Sequence, residues 1–454
     1  MDYPIWDLVA TLGGGVLVGT VSVLHVVVSH FAIGGGLAIA VIETLSVRRG
    51  DGALRDLAKR SSKILILVST VFGAISGVGI WVTIGLVHPA ATSALIHAFV
   101  WVWAIEWAFF LLEVVTALAY FATWDLVSKR THLLLIWLYA FAAYMSLVVI
   151  QGILSFMLTP GRWMETYSVV DALFNPTWLP GLVYRTGICL LLAGAYLTFA
   201  ALGEKGPAKD RLVRLLAGFE AAGALLAYAG YRWWEAALPA QVKELFAGAK
   251  PVLATLHTTR SVTLRALAVV LLVAVASLVF PRVKSAAVCV VVFLAAFLSF
   301  AAGERLREGA RKPFVIRDYM FSNGVLVTEL PALNAAGILS KARWAAHDAG
   351  PSAVARGRAV YTAECAACHT LDGYMSIRTV TGSMDADLLP AFLDESKKDG
   401  EAWRAARERG ASPPKPGYPS MAPFVGTDAE RDALATFLVS LQPPAAAKGT
   451  QNAR

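Results

Sequence analysis

Ser285-Ala286-Ala287-Val288-Cys289-Val290-Val291-Val292-Phe293-Leu294-Ala295-Ala296-Phe297-Leu298-Ser299-Phe300-Ala301-Ala302-Gly303 runs for nineteen residues without a charge. A helix needs about 20 predominantly apolar residues to cross the hydrocarbon core of a bilayer. Seven further stretches of the same kind precede it, at roughly 14–45, 64–87, 96–124, 133–158, 184–203, 213–231 and 262–281. The 454-residue chain is 57% hydrophobic and 16% charged, whereas soluble domains carry about 25% charged residues. The expected fold is therefore all-α: a polytopic membrane bundle of about eight transmembrane helices, followed by a small helical domain.

The charges between the spans set an orientation. The connections after the first, third, fifth and seventh spans hold fourteen basic residues, from Arg48 to Lys284; the opposite connections hold Arg162, Arg232, Lys243, Lys250 and Arg260. Basic connections stay in the cytoplasm, so both termini are expected outside it. The net charge of +8 is spread over these connections and not over one folded face, which argues against nucleic acid as a partner. The first span lacks a charged leader and a cleavage site and reads as a permanent helix.

Near the C-terminus stands Cys365-Ala366-Ala367-Cys368-His369. Two cysteines three apart with a histidine directly after them form the attachment pattern of a c-type haem. The thiols bond the haem vinyl groups, and the imidazole becomes an iron ligand. Met421, in Pro419-Ser420-Met421-Ala422-Pro423-Phe424, is expected to be the second; Met375 and Met384 are its rivals. A thioether opposite a histidine raises the reduction potential and suits electron transfer. Such haem is attached on the outer side of the membrane, which agrees with the charge-based topology. Cys189 and Cys289 lie in apolar runs as packing residues. The helix before the motif, the methionine loop and a closing helix from Asp428 together resemble a class I monohaem cytochrome c. The expected divisions are a membrane domain over 1–320, a linker with some amphipathic helix over 321–351, and an outer cytochrome c domain over 352–445.

Ionisable side chains inside spans are costly and mark function. Here they are His25, His30, Glu43, Glu106, Glu113, Arg185, Glu220, Arg265, Glu304 and Glu308. Paired histidines about thirteen apart on two helices, the sign of a di-haem cytochrome b, are missing. Three stretches instead resemble subunit I of the cytochrome bd oxidase family. Leu24-His25 with Ile42-Glu43-Thr44 is similar to its first helix, and Ala104-Ile105-Glu106 through Glu113 to Trp124-Asp125 to its third. Arg307-Glu308-Gly309-Ala310-Arg311-Lys312-Pro313-Phe314 is similar to its Glu-x-Gly-Arg-x-Pro-Trp signature, with the glycine shifted by one and phenylalanine for tryptophan. The resemblance extends over about residues 1–320.

The resemblance implies haem b, and in some members haem d, in the membrane domain. It implies His25 as axial ligand of one high-spin haem and Glu308 as ligand of another. Glu106 would stand beside the first as ligand or proton donor, Glu113 on the proton route, and Arg311 against a propionate. Glu106 and Glu113 are seven apart, on one helix face; the family spacing is eight. The family's third, low-spin haem should lack its ligands, because Tyr184 or Arg185 stands where histidine is expected and Leu267 where methionine is. The loop that binds quinol in the family is short. His30 and His257 remain open as ligands.

The chain is expected to take electrons through its c haem from a periplasmic donor such as a cytochrome c. It would pass them to haems in the bundle for oxygen reduction, as an oxidoreductase in a bacterial inner membrane. The resemblance implies a second membrane subunit of bd type, further respiratory-complex subunits, and surrounding lipid. The alternative is a conduit in a larger respiratory complex that never binds oxygen; a third reading leaves the membrane part an inert anchor. The basic residues Lys397, Lys398, Arg404, Arg407 and Arg409 are a candidate docking face or a solvated one.

Overall fold

The computed structural model describes residues 5–246, 251–411 and 420–442, the first four residues of the second stretch as backbone only. Pro419, Lys250 and the expected domain end at 443–445 lie outside them. Eight helices among the described residues are long and apolar enough to cross a membrane: α1 (Gly14–Arg49), α2 (Gly52–Val87), α3 (Val100–Ala122), α4 (Lys129–Phe156), α5 (Trp178–Ala201), α6 (Gly206–Ala237), α7 (Thr255–Val279) and α8 (Ala286–Arg311). Their number is the expected one. The three longest helices of the C-terminal region among the described residues are α9 (Ala353–Glu364), α10 (Leu388–Glu408) and α11 (Asp428–Ser440). The chain divides into two compact units. One comprises residues 22–79 with 96–310, and the other 1–21, 80–95 and 311–454.

In the larger unit, α5 is the most enclosed span. It packs against α6 at backbone distance, because a β-carbon on Gly187 would lie 2.6 Å from the Gly223 carbonyl oxygen. Small residues at such crossings bring membrane helices close enough for dispersion and packing to hold them. One core joins Ile188 and Leu191 of α5 to Ala224 of α6, Val270 of α7 and Phe300 of α8. Another joins Ile39 and Ile42 of α1 to Leu57 of α2, Tyr120 of α3 and Tyr139 of α4. Trp101, Trp107 and Leu272 project outward and exposed, which suits a surface solvated by lipid chains. Helix α2 contains a π-helical turn at Val68–Gly73. One added residue per turn re-aims the side chains that follow, and such turns are frequent at functional sites.

In the smaller unit α9 crosses α11, with Tyr361 and Phe437 ring centroids 5.6 Å apart. Ser352 caps α9 by accepting from the Ala355 N–H at 3.1 Å. Thr427 and Glu430 form a reciprocal capping box on α11. Residues 321–351, read from the sequence as a linker, contribute Phe321, Val325, Leu330, Leu333 and Ile338 to the core that also holds Val360, Trp403 and Leu434. A short antiparallel pair, Phe314–Ile316 with Met320–Phe321, turns the chain as it leaves α8. Glu430, buried, ties this segment down by accepting from the N–H groups of Ile338 at 2.9 Å and Leu339 at 3.1 Å. The Trp6 N–H donates to the Leu86 carbonyl at 3.0 Å, and Ile5 packs on the same core.

Candidate functional site

The turn closing α9 gathers the cysteine-histidine motif. The Cys368 and His369 N–H groups both donate to the Cys365 carbonyl, at 3.1 and 2.8 Å. Both thiols are free. His369 donates through Nδ1 to the Met375 carbonyl at 3.0 Å, so the lone pair of its other nitrogen is available to a metal. Met375 offers that carbonyl from a left-handed backbone conformation (φ 51°), and the Tyr361 hydroxyl donates to the His369 carbonyl at 2.7 Å. Burial, with a smaller push from the Lys312 ammonium, holds the His369 pKa below the usual imidazole range. Lys312 Nζ donates to Cys368 Sγ at 3.9 Å. Two free thiols on one turn and an oriented imidazole nitrogen fit a thioether-bound haem.

Met421 stands apart from this turn in its described contacts. It lines a small cavity with Pro313, Phe321, Ser396, Gly400 and Trp403. The buried Trp403 Nε1 has no hydrogen-bond partner among the described residues, a donor that suits a polar group of a bound ligand. Met384 packs against the unit's core, whereas the Met375 side chain is exposed. Glu364, the last residue of α9, accepts from the Val425 N–H at 3.1 Å; burial pushes its carboxyl well above the usual range.

In the membrane bundle, α3 and α4 run antiparallel and carry a ladder of polar side chains. Glu106, Glu113 and Tyr120 lie seven apart on α3; Ser146, Tyr139 and His132 lie seven apart on α4. Glu106 accepts from the Ser146 hydroxyl at 2.7 Å. Glu113 has the Tyr139 hydroxyl as its neighbour, and that hydroxyl also donates to the Ala32 carbonyl at 3.2 Å. The Tyr120 and His132 rings stack with centroids 4.3 Å apart. Glu43 of α1 closes this end, contacting His132 Nδ1 and the Tyr120 hydroxyl at 2.6 Å each. His132 Nε2 also faces the Tyr120 carbonyl, at 3.1 Å. Both ring nitrogens of His132 are therefore engaged, one by the Glu43 carboxyl and the other by the Tyr120 carbonyl.

His25 lies between two hydroxyls, Ser76 at 3.1 Å and Ser29 at 3.3 Å. Ser76 follows the π-helical turn of α2, and a β-carbon at Gly77 would come within 3.3 Å of the His25 ring. His30 is buried. It donates through Nδ1 to the Val26 carbonyl at 2.7 Å, and its Nε2 faces Arg185 at 3.4 Å. Arg185, also buried, pairs with Glu304. Arg307 bridges Glu304 at 3.1 Å and Glu308 at 2.8 Å. Arg311 donates to the Val315 carbonyl at 2.8 Å. Leu267 is plain core, and His257 and Arg265 are exposed. The ladder brings Glu106 and Glu113 to one helix face; His25 and Glu308 are held in separate networks among the described contacts.

The sequence reading passes over His132 and takes Lys284 for a connection charge. His132 sits just ahead of the apolar run of α4. Lys284 is fully buried and pairs with Glu220 at 2.5 Å.

Comparisons with known proteins match two separate parts of the chain. Residues 16–203 match the family described as cytochrome bd terminal oxidase subunit I, and residues 354–442 match cytochrome c. Among solved structures, a chain of the bd oxidase from Geobacillus thermodenitrificans superposes with a TM-score of 0.58. The match covers 67% of this chain and 88% of that one, at 16% identity, a likeness of fold. No curated protein sequence matches the chain.

Proposed function

We propose that the chain, similar over residues 16–203 to cytochrome bd oxidase subunit I and over 354–442 to cytochrome c, is a membrane oxidoreductase. It accepts electrons at its c haem and delivers them to haems in the bundle for oxygen reduction. Bound haem supplies one-electron chemistry at each site, its potential set by axial ligand and surroundings. Cys365 and Cys368 would anchor the c haem, and His369 and Met421 would be the residues that hold its iron. His25 holds one haem of the bundle, b or d in type. Glu308 would hold a second, and Arg311 would supply a positive charge to its acidic groups. The third, low-spin haem of the family is missing: Arg185 is committed to Glu304 and His30, and Leu267 to the core.

The protein's own part in the chemistry is proton supply and positioning. Reducing oxygen to water takes up four protons per O2, and these must cross a low-dielectric interior. Glu106 and Glu113, each beside a hydroxyl on α4, hold and hand on protons along the α3 face. The cytochrome domain and both termini are periplasmic, by the charge asymmetry of the connections. A periplasmic donor such as a cytochrome c supplies electrons, and the exposed apolar faces of the spans meet lipid and a second subunit of bd type.

The observation that carries this reading is the Cys365–His369 turn, with Nδ1 of His369 committed to the Met375 carbonyl, on a chain whose first 203 residues include the bd subunit match. Pyridine haemochrome quantitation of the purified protein tests it. One c haem with b or d haem in the bundle supports it, and c haem alone contradicts it.

A further inference from the structure

The loop after the haem-attachment turn is seated on the chain's own N-terminal segment. The Leu371 N–H donates to the Ala10 carbonyl at 3.2 Å. A β-carbon at Gly14, the first residue of α1, would lie 2.5 Å from the Ala367 carbonyl oxygen and 2.6 Å from a Val87 methyl at the end of α2. A β-carbon at Gly373 would lie 2.5 Å from the Thr11 carbonyl oxygen. Gly13 adopts φ 90°, which other residues rarely take, and its neighbours across the gap are Thr370 and Tyr374. Backbone thus meets backbone at three points, and at two of them, Gly14 and Gly373, a β-carbon would collide with a carbonyl oxygen. Gly19, on the same helix, has nothing within 4 Å of where its β-carbon would be, so the close approach is local to residues 10–14.

We propose that residues 10–14, with Gly373 opposite, form a fixed seat for the haem-attachment loop, so that electrons leave the cytochrome domain through one docked geometry at the outer ends of α1 and α2. A tethered domain would search for its contact at each turnover; a seated one presents the same edge every time, and positioning of this kind is where rate is gained. The face bearing residues 367–374 is then committed within the chain, and an external donor uses another face of the domain. The electron-transfer role of the seat rests on the function proposed above. The seat itself does not.

The test uses the full chain in detergent with Gly14→Val, Gly373→Val and the control Gly19→Val. Hydrogen exchange is followed over residues 369–376, with α9 and α11 as the internal check on folding. Electron redistribution from the c haem to the bundle haems is followed after flash photoreduction. The seat predicts that Gly14→Val and Gly373→Val raise exchange in the loop at least tenfold and slow redistribution at least tenfold. Protection of α9 and α11 and the c-haem spectrum should stay unchanged, and Gly19→Val should behave as wild type. Loop exchange unchanged in both variants overturns the seat; faster exchange with an unchanged rate overturns its role in electron transfer. Should Gly14→Val disturb α1, Gly373→Val, on the exposed loop, decides alone. A wild-type protein showing no redistribution refutes the function proposed above, while the exchange data still judge the seat.

Discussion

Glu43 and His132, 89 positions apart in the chain, meet at 2.6 Å in the buried interior of the bundle. The second oxygen of the same carboxylate takes the Tyr120 hydroxyl. Removing one partner of this buried contact leaves the other's polar atoms unpaired, which costs about 1–3 kcal/mol. Glu43→Ala and His132→Ala are each expected to lower the unfolding temperature of the detergent-solubilised protein sharply. The double variant Glu43→Ala with His132→Ala should lose less than the sum of the two single changes. Additive losses would show that the two side chains are not coupled.

His132 also marks where sequence reading stops. The eight spans and the cytochrome c motif are legible because each is a local signal: an apolar run, or a motif of five residues. The rungs between α3 and α4 were not. Glu106 and Glu113 were read as a face of one helix, but that Ser146 and Tyr139 stand opposite depends on how two helices pair. His132 lies at the edge of its apolar run and its partner is on another span, so nothing nearby in sequence announces it. Residues 321–351 show interrupted periodicity, and their burial becomes visible only when Glu430, from α11, is seen holding Ile338 and Leu339.

Ser146→Ala removes the hydroxyl that donates to Glu106, and Glu106→Gln removes its exchangeable acid. Positioned acid-base groups contribute about 10²–10⁴-fold in rate. Glu106→Gln is expected to lower oxygen consumption within that range and Ser146→Ala less. The c-haem spectrum should be unaffected in both. Equal, full activity in Glu106→Gln would remove it from the proton route.

Lys312 places a positive charge beside Cys368. A neighbouring cation disfavours the ferric over the ferrous state, so Lys312→Met should lower the c-haem midpoint potential. At partly exposed separations the interaction is on the order of 1 kcal/mol, or tens of millivolts. A redox titration of the c-haem absorption checks this; an unchanged or raised potential would contradict it.

Glu364 supplies a pH dependence. Its carboxyl is pushed up by burial in the folded domain, whereas in the unfolded chain it ionises near 4.3. Between those values the folded state holds the proton and the unfolded state does not, so stability falls as pH rises. The contribution is fully present below the unfolded value and lost as pH rises through the folded one. Thermal melts followed by c-haem absorption should show this slope, and Glu364→Gln, which still accepts from Val425, should flatten it. A variant as pH-dependent as wild type would assign the slope elsewhere.

The central claim is that electrons arriving at a c haem reach a gas-binding haem in the same chain's membrane bundle. A reduced-minus-oxidised spectrum of the purified protein, repeated under carbon monoxide, tests it most directly. The account predicts c-haem bands that carbon monoxide leaves alone, beside b- or d-haem bands that it shifts, because a haem that reduces oxygen keeps an open coordination position. Bundle haems with no response to carbon monoxide would make the protein a conduit and contradict the claim.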